Sequence, residues 1–116
     1  MEYTFTAAAL VRIGEILDAW PCPDRGTMKA LDAIAAKIEL SDEMSDEDKL
    51  AISWRPVGAG QFRYDDRAEL TRELTVEDAA TLLQMVEQPP QKLAWTRSDK
   101  AMQAAVFEPL GGTPWL

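Results

Sequence analysis

The period of the hydrophobic residues changes near the middle of the chain, and this change constrains the fold more than any other feature. Leu10, Ile13 and Leu17 recur at helical spacing near the start, whereas Ile52 and Trp54 alternate with polar residues. Helical spacing returns after Thr75. Because the strand-like segments are grouped together with helices before and after them, the pattern predicts an α+β fold.

Two helices are predicted before the change of period. Thr6 can cap the first helix, and Pro21 and Pro23 end it. The second helix is predicted over residues 27–38, and the short connection indicates antiparallel packing. The predicted apolar faces are Leu10, Ile13, Leu17 and Trp20 on the first helix, and Met28, Leu31, Ala35 and Ile38 on the second.

The central segment predicts a β-hairpin at about residues 51–65, with Gly58 and Gly60 in its turn. Alternation continues through residues 67–74, either as a third strand or as an extension of the second. The sheet therefore has two or three antiparallel strands, and about four helices pack with it. With 116 residues and no long linker, the chain is predicted to form a single compact domain over residues 1–116.

Ser or Thr followed three residues later by Asp marks three helix starts. The pairs are Ser45 with Asp48, Thr75 with Asp78, and Thr96 with Asp99. They predict a helical turn at residues 45–50, a helix after Thr75 and a last helix at residues 98–107. The inward residues are predicted to be Val76, Ala79, Ala80, Leu83 and Val86 in the first of these helices, and Ala101, Met102, Ala105 and Val106 in the second.

Composition limits the classes of function. The chain has 20 acidic and 12 basic residues, a net charge of −8, which disfavours direct binding to nucleic acid or to an anionic membrane. Cys22 is the only cysteine, so no internal disulfide forms. The start of the chain does not resemble a signal peptide and no stretch is long enough to span a membrane, which indicates the cytoplasm.

No catalytic, cofactor-binding or metal-binding residue is predicted. The chain has no histidine, which excludes Ser-His-Asp and Cys-His arrangements and removes the commonest metal ligand. Cys22 lies between two prolines and is expected to be a small packed side chain. The GAG at 58–60 lacks the lysine of a phosphate loop and is interpreted as a hairpin turn.

An acidic run, ELSDEMSDED, occupies residues 39–48. It does not fit a calcium loop that starts at Asp42, because position six is Glu47 instead of glycine and position twelve is Ser53. Two interpretations stay open: a solvated helix start, or a contact for a basic partner surface. The candidate partner-binding residues of the run are Asp42, Glu43, Asp46, Glu47 and Asp48.

Three further residues are candidates for partner binding. Arg55 and Arg63 are expected to face each other across the hairpin, either as an interface centre or as cross-strand partners of Asp65 and Glu69. Trp115 follows two glycines and a proline, so its side chain is either docked in a groove or displayed to a partner.

These features favour a nonenzymatic acidic protein-binding module, such as a stoichiometric inhibitor or adaptor of a larger, nucleic-acid-handling complex. In size and charge alone, the chain is similar to small accessory proteins of phages and mobile elements, including those that block host defence complexes. The expected partner is a protein with a basic or mixed surface. The alternative is a structural or assembly protein that works as a homo-oligomer, for instance a homodimer paired through a sheet edge.

Overall fold

Four short strands and five α-helices make up the protein in the computed structural model, which describes residues 1–116. In chain order they are β1 (Glu2–Thr6), α1 (Ala7–Asp18), α2 (Arg25–Ile38), α3 (Asp46–Ala51), β2 (Arg55–Gly58), β3 (Gln61–Arg63), β4 (Glu69–Glu73), α4 (Val76–Glu87) and α5 (Lys100–Phe107). Single 3-10 turns lie at Gln91–Leu93, Arg97–Asp99 and Glu108–Leu110. The predicted α+β class is confirmed.

The strands form two separate antiparallel sheets of two strands each. β2 pairs with β3 as the predicted hairpin, although the strands cover residues 55–63 and not the whole of 51–65. The strand predicted at 67–74 is present as β4, but it pairs with β1, where Phe5 lies opposite Leu70. β1 was not predicted, and its partner lies too far along the chain for local alternation to indicate the pairing.

Side-chain caps explain where most of the helices begin. The Thr6 hydroxyl accepts the Ala9 N–H at 3.2 Å, and the Asp24 carboxylate accepts the Thr27 N–H at 2.7 Å. α2 therefore begins at Arg25, two residues earlier than predicted. Both bonds of the capping box at Thr75 are formed, as the spacing predicts, and at Thr96 the Asp99 carboxylate accepts the Thr96 backbone N–H at 2.9 Å.

α1 lies at the centre of the fold and contacts α2, α4, α5 and β1. Leu10, Ile13 and Leu17 are buried as predicted, together with Ile16. They belong to a single hydrophobic cluster of 19 buried residues to which β1, β4 and all the long helices contribute. None of the helices is both long and apolar enough to span a bilayer.

Several residues predicted to face inward are exposed instead. Met28 in α2 is 52% exposed, because the buried face of that helix passes through Ile34 and Ile38. Val76 and Ala80 of α4 are also exposed, and that helix buries Leu82 and Met85 beside Ala79 and Val86. In α5, Ala101 is exposed and Gln103 is fully buried. Spacing fixes the width of an apolar face, but its rotation depends on the neighbouring elements.

Candidate functional site

The β2–β3 hairpin is the most exposed regular element of the protein. All four residues of β2 are exposed, and in β3 only Phe62 is partly buried. The turn carries positive φ angles of 101° at Gly58, 51° at Ala59 and 73° at Gly60, which explains the two glycines. The hairpin is held by its aromatic residues, since the Trp54 ring stacks on Phe62 at 4.7 Å and on Tyr64 at 5.9 Å.

Arg55 and Arg63 occupy directly opposed positions across this hairpin, as predicted. Both side chains are exposed, and neither guanidinium lies within 4.0 Å of a carboxylate. The alternative pairing with Asp65 and Glu69 is therefore wrong. The Asp65 carboxylate turns away and accepts the Arg67 backbone N–H at 3.0 Å. Like charges directly opposite each other destabilise a strand pair, so this arrangement has an energetic cost.

A cavity of about 420 Å³ lies against the two arginines. It is lined by Ser53, Arg55, Phe62, Arg63, Tyr64, Asp65 and Asp66. Partial burial, with the nearby Asp66 and Glu15 carboxylates, raises the pKa of Tyr64, so its hydroxyl stays protonated and can donate a hydrogen bond. The cavity therefore offers cations, carboxylates and a phenol to one ligand, which suits a surface of mixed charge.

The acidic run divides into residues that stabilise the fold and residues that are free. Asp48 forms an ion pair with Arg72 at 2.6 Å, and Asp42 lies 3.5 Å from the Lys49 ammonium. Ser45 caps α3 by accepting the Asp48 N–H at 3.1 Å. The Asp48 carboxylate binds Arg72 and does not accept the Ser45 backbone N–H. Only one of the two hydrogen bonds of that capping box therefore forms.

Four acidic side chains of the run remain free: Glu39, Glu43, Asp46 and Glu47 are exposed and form no ion pair. No group of acidic or cysteine side chains in the chain converges closely enough to hold a metal ion. Glu43 and Asp48 line a cavity of about 210 Å³ with Arg72, separate from the cavity beside Arg55 and Arg63. The run therefore presents negative charge to solvent at one place and the hairpin presents positive charge at another.

Trp115 is docked through its backbone and displayed through its side chain. The buried Gln103 side-chain oxygen accepts the backbone N–H groups of Trp115 and Leu116, both at 2.9 Å. The Trp115 side chain stays 59% exposed. The sequence alone left docking and display as alternatives, and the structure combines them.

Sequence reasoning missed two kinds of functional candidate. Neither Asp65 nor Asp66 was predicted to belong to a binding site, yet both line the hairpin cavity. Cys22 is exposed, so the expectation that it is packed is wrong. The two prolines beside Cys22 were a usable signal, because they keep the segment out of a helix and at the surface.

No protein-family model matches the sequence, no curated protein is significantly similar to it, and no solved structure matches its fold. The exposed hairpin, its two unpaired arginines and the cavity beside them form the best-defined candidate surface.

Proposed function

We propose that this protein is a nonenzymatic protein-binding module that engages a larger partner through its β2–β3 hairpin. The observation that carries the proposal is the directly opposed pair Arg55 and Arg63, which has no carboxylate partner on an exposed hairpin. Repulsion between the two guanidinium groups is relieved when a partner inserts an acidic side chain between them. Binding would thus compensate for the repulsion between Arg55 and Arg63 that is present in the folded protein.

The surroundings of the arginines support a protein ligand. Arginine and aromatic residues are enriched at the centres of protein interfaces, and the Trp54, Phe62 and Tyr64 stack gives the hairpin a fixed shape. Asp65 and Asp66 on the same cavity are suited to a basic residue of the partner. A partner surface with acidic and basic residues side by side matches this cavity.

The acidic run contributes at longer range. Glu43, Asp46 and Glu47 have no internal ion pair, and the whole chain carries a net charge of −8. Such charge accelerates association with a basic partner surface and makes the association rate sensitive to salt. A small acidic chain of this kind suits a stoichiometric inhibitor or adaptor of a nucleic-acid-handling complex, of the type that phages and mobile elements encode.

The test is affinity capture from a lysate of the source cells at low and high salt, followed by mass spectrometry. Wild type is compared with the double variant Arg55→Gln/Arg63→Gln and with the control Arg25→Gln/Arg97→Gln. Both variants lose two positive charges from exposed arginines that form no ion pair. We expect the hairpin variant to lose a partner that the control retains. Equal retention by all three proteins contradicts the proposal.

The acidic run has its own test once that partner is available. The variant Glu43→Gln/Asp46→Asn/Glu47→Gln should lower the association rate and reduce its dependence on salt, with little change in the dissociation rate. Circular dichroism should show an intact fold, since these side chains are exposed. Unchanged association kinetics would remove the acidic run from the mechanism.

A second candidate function is self-assembly, and the edges of the hairpin favour it. Because β2 and β3 form a sheet of only two strands, each has an outer edge that is not paired with another strand. Pairing of such edges across a two-fold axis would give a homodimer. Sedimentation velocity over a range of protein and salt concentrations tests this: salt-independent dimerisation supports assembly, and a monomer at all concentrations excludes it.

A further inference from the structure

A second surface, remote from the hairpin in sequence, combines an apolar floor with a polar rim whose only charged residues are acidic. A cavity of about 430 Å³ lies between α2 and α4, with Trp20, Leu31 and Met85 among its apolar lining residues. A neighbouring cavity of about 190 Å³ shares Trp20 and Leu31 with it. We call these two cavities together the Trp20 groove. No lysine or arginine lines either cavity, and the charged lining residues are Asp18, Asp32 and Glu39.

The three carboxylates of the Trp20 groove are exposed and form no ion pair within 4.0 Å. Asp18 is the last residue of α1, and Glu39 is the C-cap of α2. A carboxylate at a helix C-terminus is repelled by the negative end of the helix dipole. Asp18 and Glu39 therefore lie where they do not stabilise the helices, Asp32 lies within α2, and no lysine or arginine stands among the residues that line the groove.

The apolar floor is held in place. Trp20 is partly buried against the core, and its backbone N–H donates to the Leu17 carbonyl at 3.2 Å. Pro21 and Pro23 restrict the segment that follows. α2 is anchored through Ile34 and Ile38, so Leu31 on the same helix has a fixed position. Met28, which is 52% exposed, extends the apolar surface at the side of the smaller cavity.

We propose that the Trp20 groove binds a basic segment of a protein partner. A lysine or arginine of that segment packs its methylene groups on Trp20 and Leu31 and brings its charge to Asp18, Asp32 and Glu39. An apolar side chain of the same segment enters the larger cavity beside Met85. This surface shares no lining residue with the hairpin cavity, so the inference does not depend on the proposed function of the hairpin.

Charge selects this occupant over the others. Nucleic acid is disfavoured because its phosphates would face three carboxylates with no base among the lining residues. A second copy of the chain is disfavoured because each copy carries a charge of −8. A basic peptide with apolar anchors satisfies both the rim and the floor.

The probe is a short amphipathic peptide of lysine and leucine, and its control is the same peptide with glutamate in place of lysine. Binding to the full chain is followed by titration calorimetry and by amide chemical shifts. We expect the lysine peptide alone to bind, with shifts concentrated in residues 27–35 and 81–88. It should also slow the alkylation of Cys22, the only cysteine, which is exposed and lines the smaller cavity.

Variants locate the binding site. Asp18→Asn/Asp32→Asn should weaken the lysine peptide about three- to tenfold at low salt, as expected for two exposed charge contacts. The control Glu2→Gln/Glu108→Gln removes the same charge from exposed acids that form no ion pair and lie outside the groove, and it should leave the affinity within about twofold. Met28→Ser keeps every charge and removes exposed apolar surface, so it should weaken binding without affecting the fold.

Four results would overturn the inference. They are no binding of the lysine peptide, equal binding of the glutamate peptide, shifts centred on residues 41–48, or an equal loss of affinity in the control variant. If Asp18→Asn/Asp32→Asn changes the fold, Met28→Ser and the Cys22 alkylation rate still decide the question, because neither needs the acidic residues to be altered.

Discussion

The buried side-chain oxygen of Gln103 lies 2.9 Å from the backbone nitrogen of Trp115 and accepts its hydrogen bond. Gly112 of the tail packs closely against α4, since a Cβ atom there would lie only 2.5 Å from Leu83 Cδ1. Gln103 has no exposed surface, and the two hydrogen bonds that it accepts from the tail are partly buried. The end of the chain is thus fixed to α5 through its backbone.

Replacing Gln103 with Leu should free the tail. Leucine has a similar volume but leaves the N–H groups of Trp115 and Leu116 without their acceptor, so we expect a loss of about 1–3 kcal/mol in unfolding free energy. Urea denaturation measures this loss, and Gln91→Leu at an exposed position serves as the control. The substitution also removes the buried Gln103 Nε2, which has no hydrogen-bond partner, so a stability equal to wild type would show that the two hydrogen bonds contribute no more than the removal of this nitrogen gains.

Deleting Thr113 to Leu116 and replacing Trp115 alone should have different effects. The deletion removes both backbone hydrogen bonds and the partly buried Leu116, so the melting temperature should fall. Trp115→Ala should change unfolding free energy by less than about 0.5 kcal/mol, because the side chain is largely exposed. A large loss in Trp115→Ala would mean that the indole itself is docked.

Asp48, through its ion pair with Arg72, should contribute more to stability than the other acidic residues of the run. Arg72 is 12% exposed and Asp48 28% exposed, so removing one partner leaves a poorly solvated charge. We expect Asp48→Asn to cost about 1–3 kcal/mol in urea denaturation, between the values typical of surface and buried pairs. Glu43→Gln, which removes a free carboxylate nearby, should be close to neutral. Equal losses of unfolding free energy in Asp48→Asn and Glu43→Gln would contradict a stabilising role of the ion pair between Asp48 and Arg72.

Stability should depend on pH through Asp78. The hydrogen bond from the Lys37 ammonium at 2.6 Å, helped by the Thr75 backbone N–H, lowers the pKa of Asp78 below its usual value of 3.8. A carboxyl group whose pKa is lowered by folding stabilises the native state above the unfolded pKa. That contribution is lost as the pH falls through the lower, folded pKa. Stability from this source should therefore be complete at neutral pH and decline below about pH 4.

The variant Asp78→Asn tests this expectation. It should lose about 0.5–1 kcal/mol of unfolding free energy at neutral pH, and the difference from wild type should shrink as Asp78 becomes protonated. Glu69→Gln, at an exposed acid in β4 with no ion pair, is the control and should match wild type at both ends of the range. If the difference in stability between Asp78→Asn and wild type persists at acid pH, it does not come from the charge of Asp78.

Charge reversal in the hairpin should separate stability from binding. Arg63→Glu places a carboxylate opposite Arg55, so unfolding free energy should rise by about 0.2–1 kcal/mol while partner capture is lost. Arg55→Glu should behave in the same way, and the double reversal should restore repulsion and cancel the gain. Urea denaturation at low and high salt measures this cycle, and salt should reduce every difference. A single reversal that destabilises the protein would contradict the cost assigned to the arginine pair.

Local patterns predicted the local features of this fold. The glycines of the hairpin turn fixed the register well enough to place Arg55 opposite Arg63, because few residues separate the two strands. The capping spacings at Thr75 and Thr96 correctly marked the starts of helical segments. Each of these features depends on residues within a few positions of one another.

Features that depend on distant contacts were not predictable in the same way. The five residues of β1 show too short an alternation to indicate a strand, and their partners follow far along the chain. Gln103 looks like an ordinary surface residue of a helix until the path of the tail is known. The division of the acidic run was hidden for the same reason, because Arg72 belongs to β4.

The β1–β4 ladder also has a consequence for how the protein acquires its structure. Thr6 pairs with Glu69 and Glu2 with Glu73, so the two strands meet only after a loop of more than sixty residues has closed. Closing such a loop costs conformational entropy before any contact compensates for it. During synthesis, β4 emerges only after the next three helices and the hairpin, and we therefore expect its pairing with β1 to form late in folding.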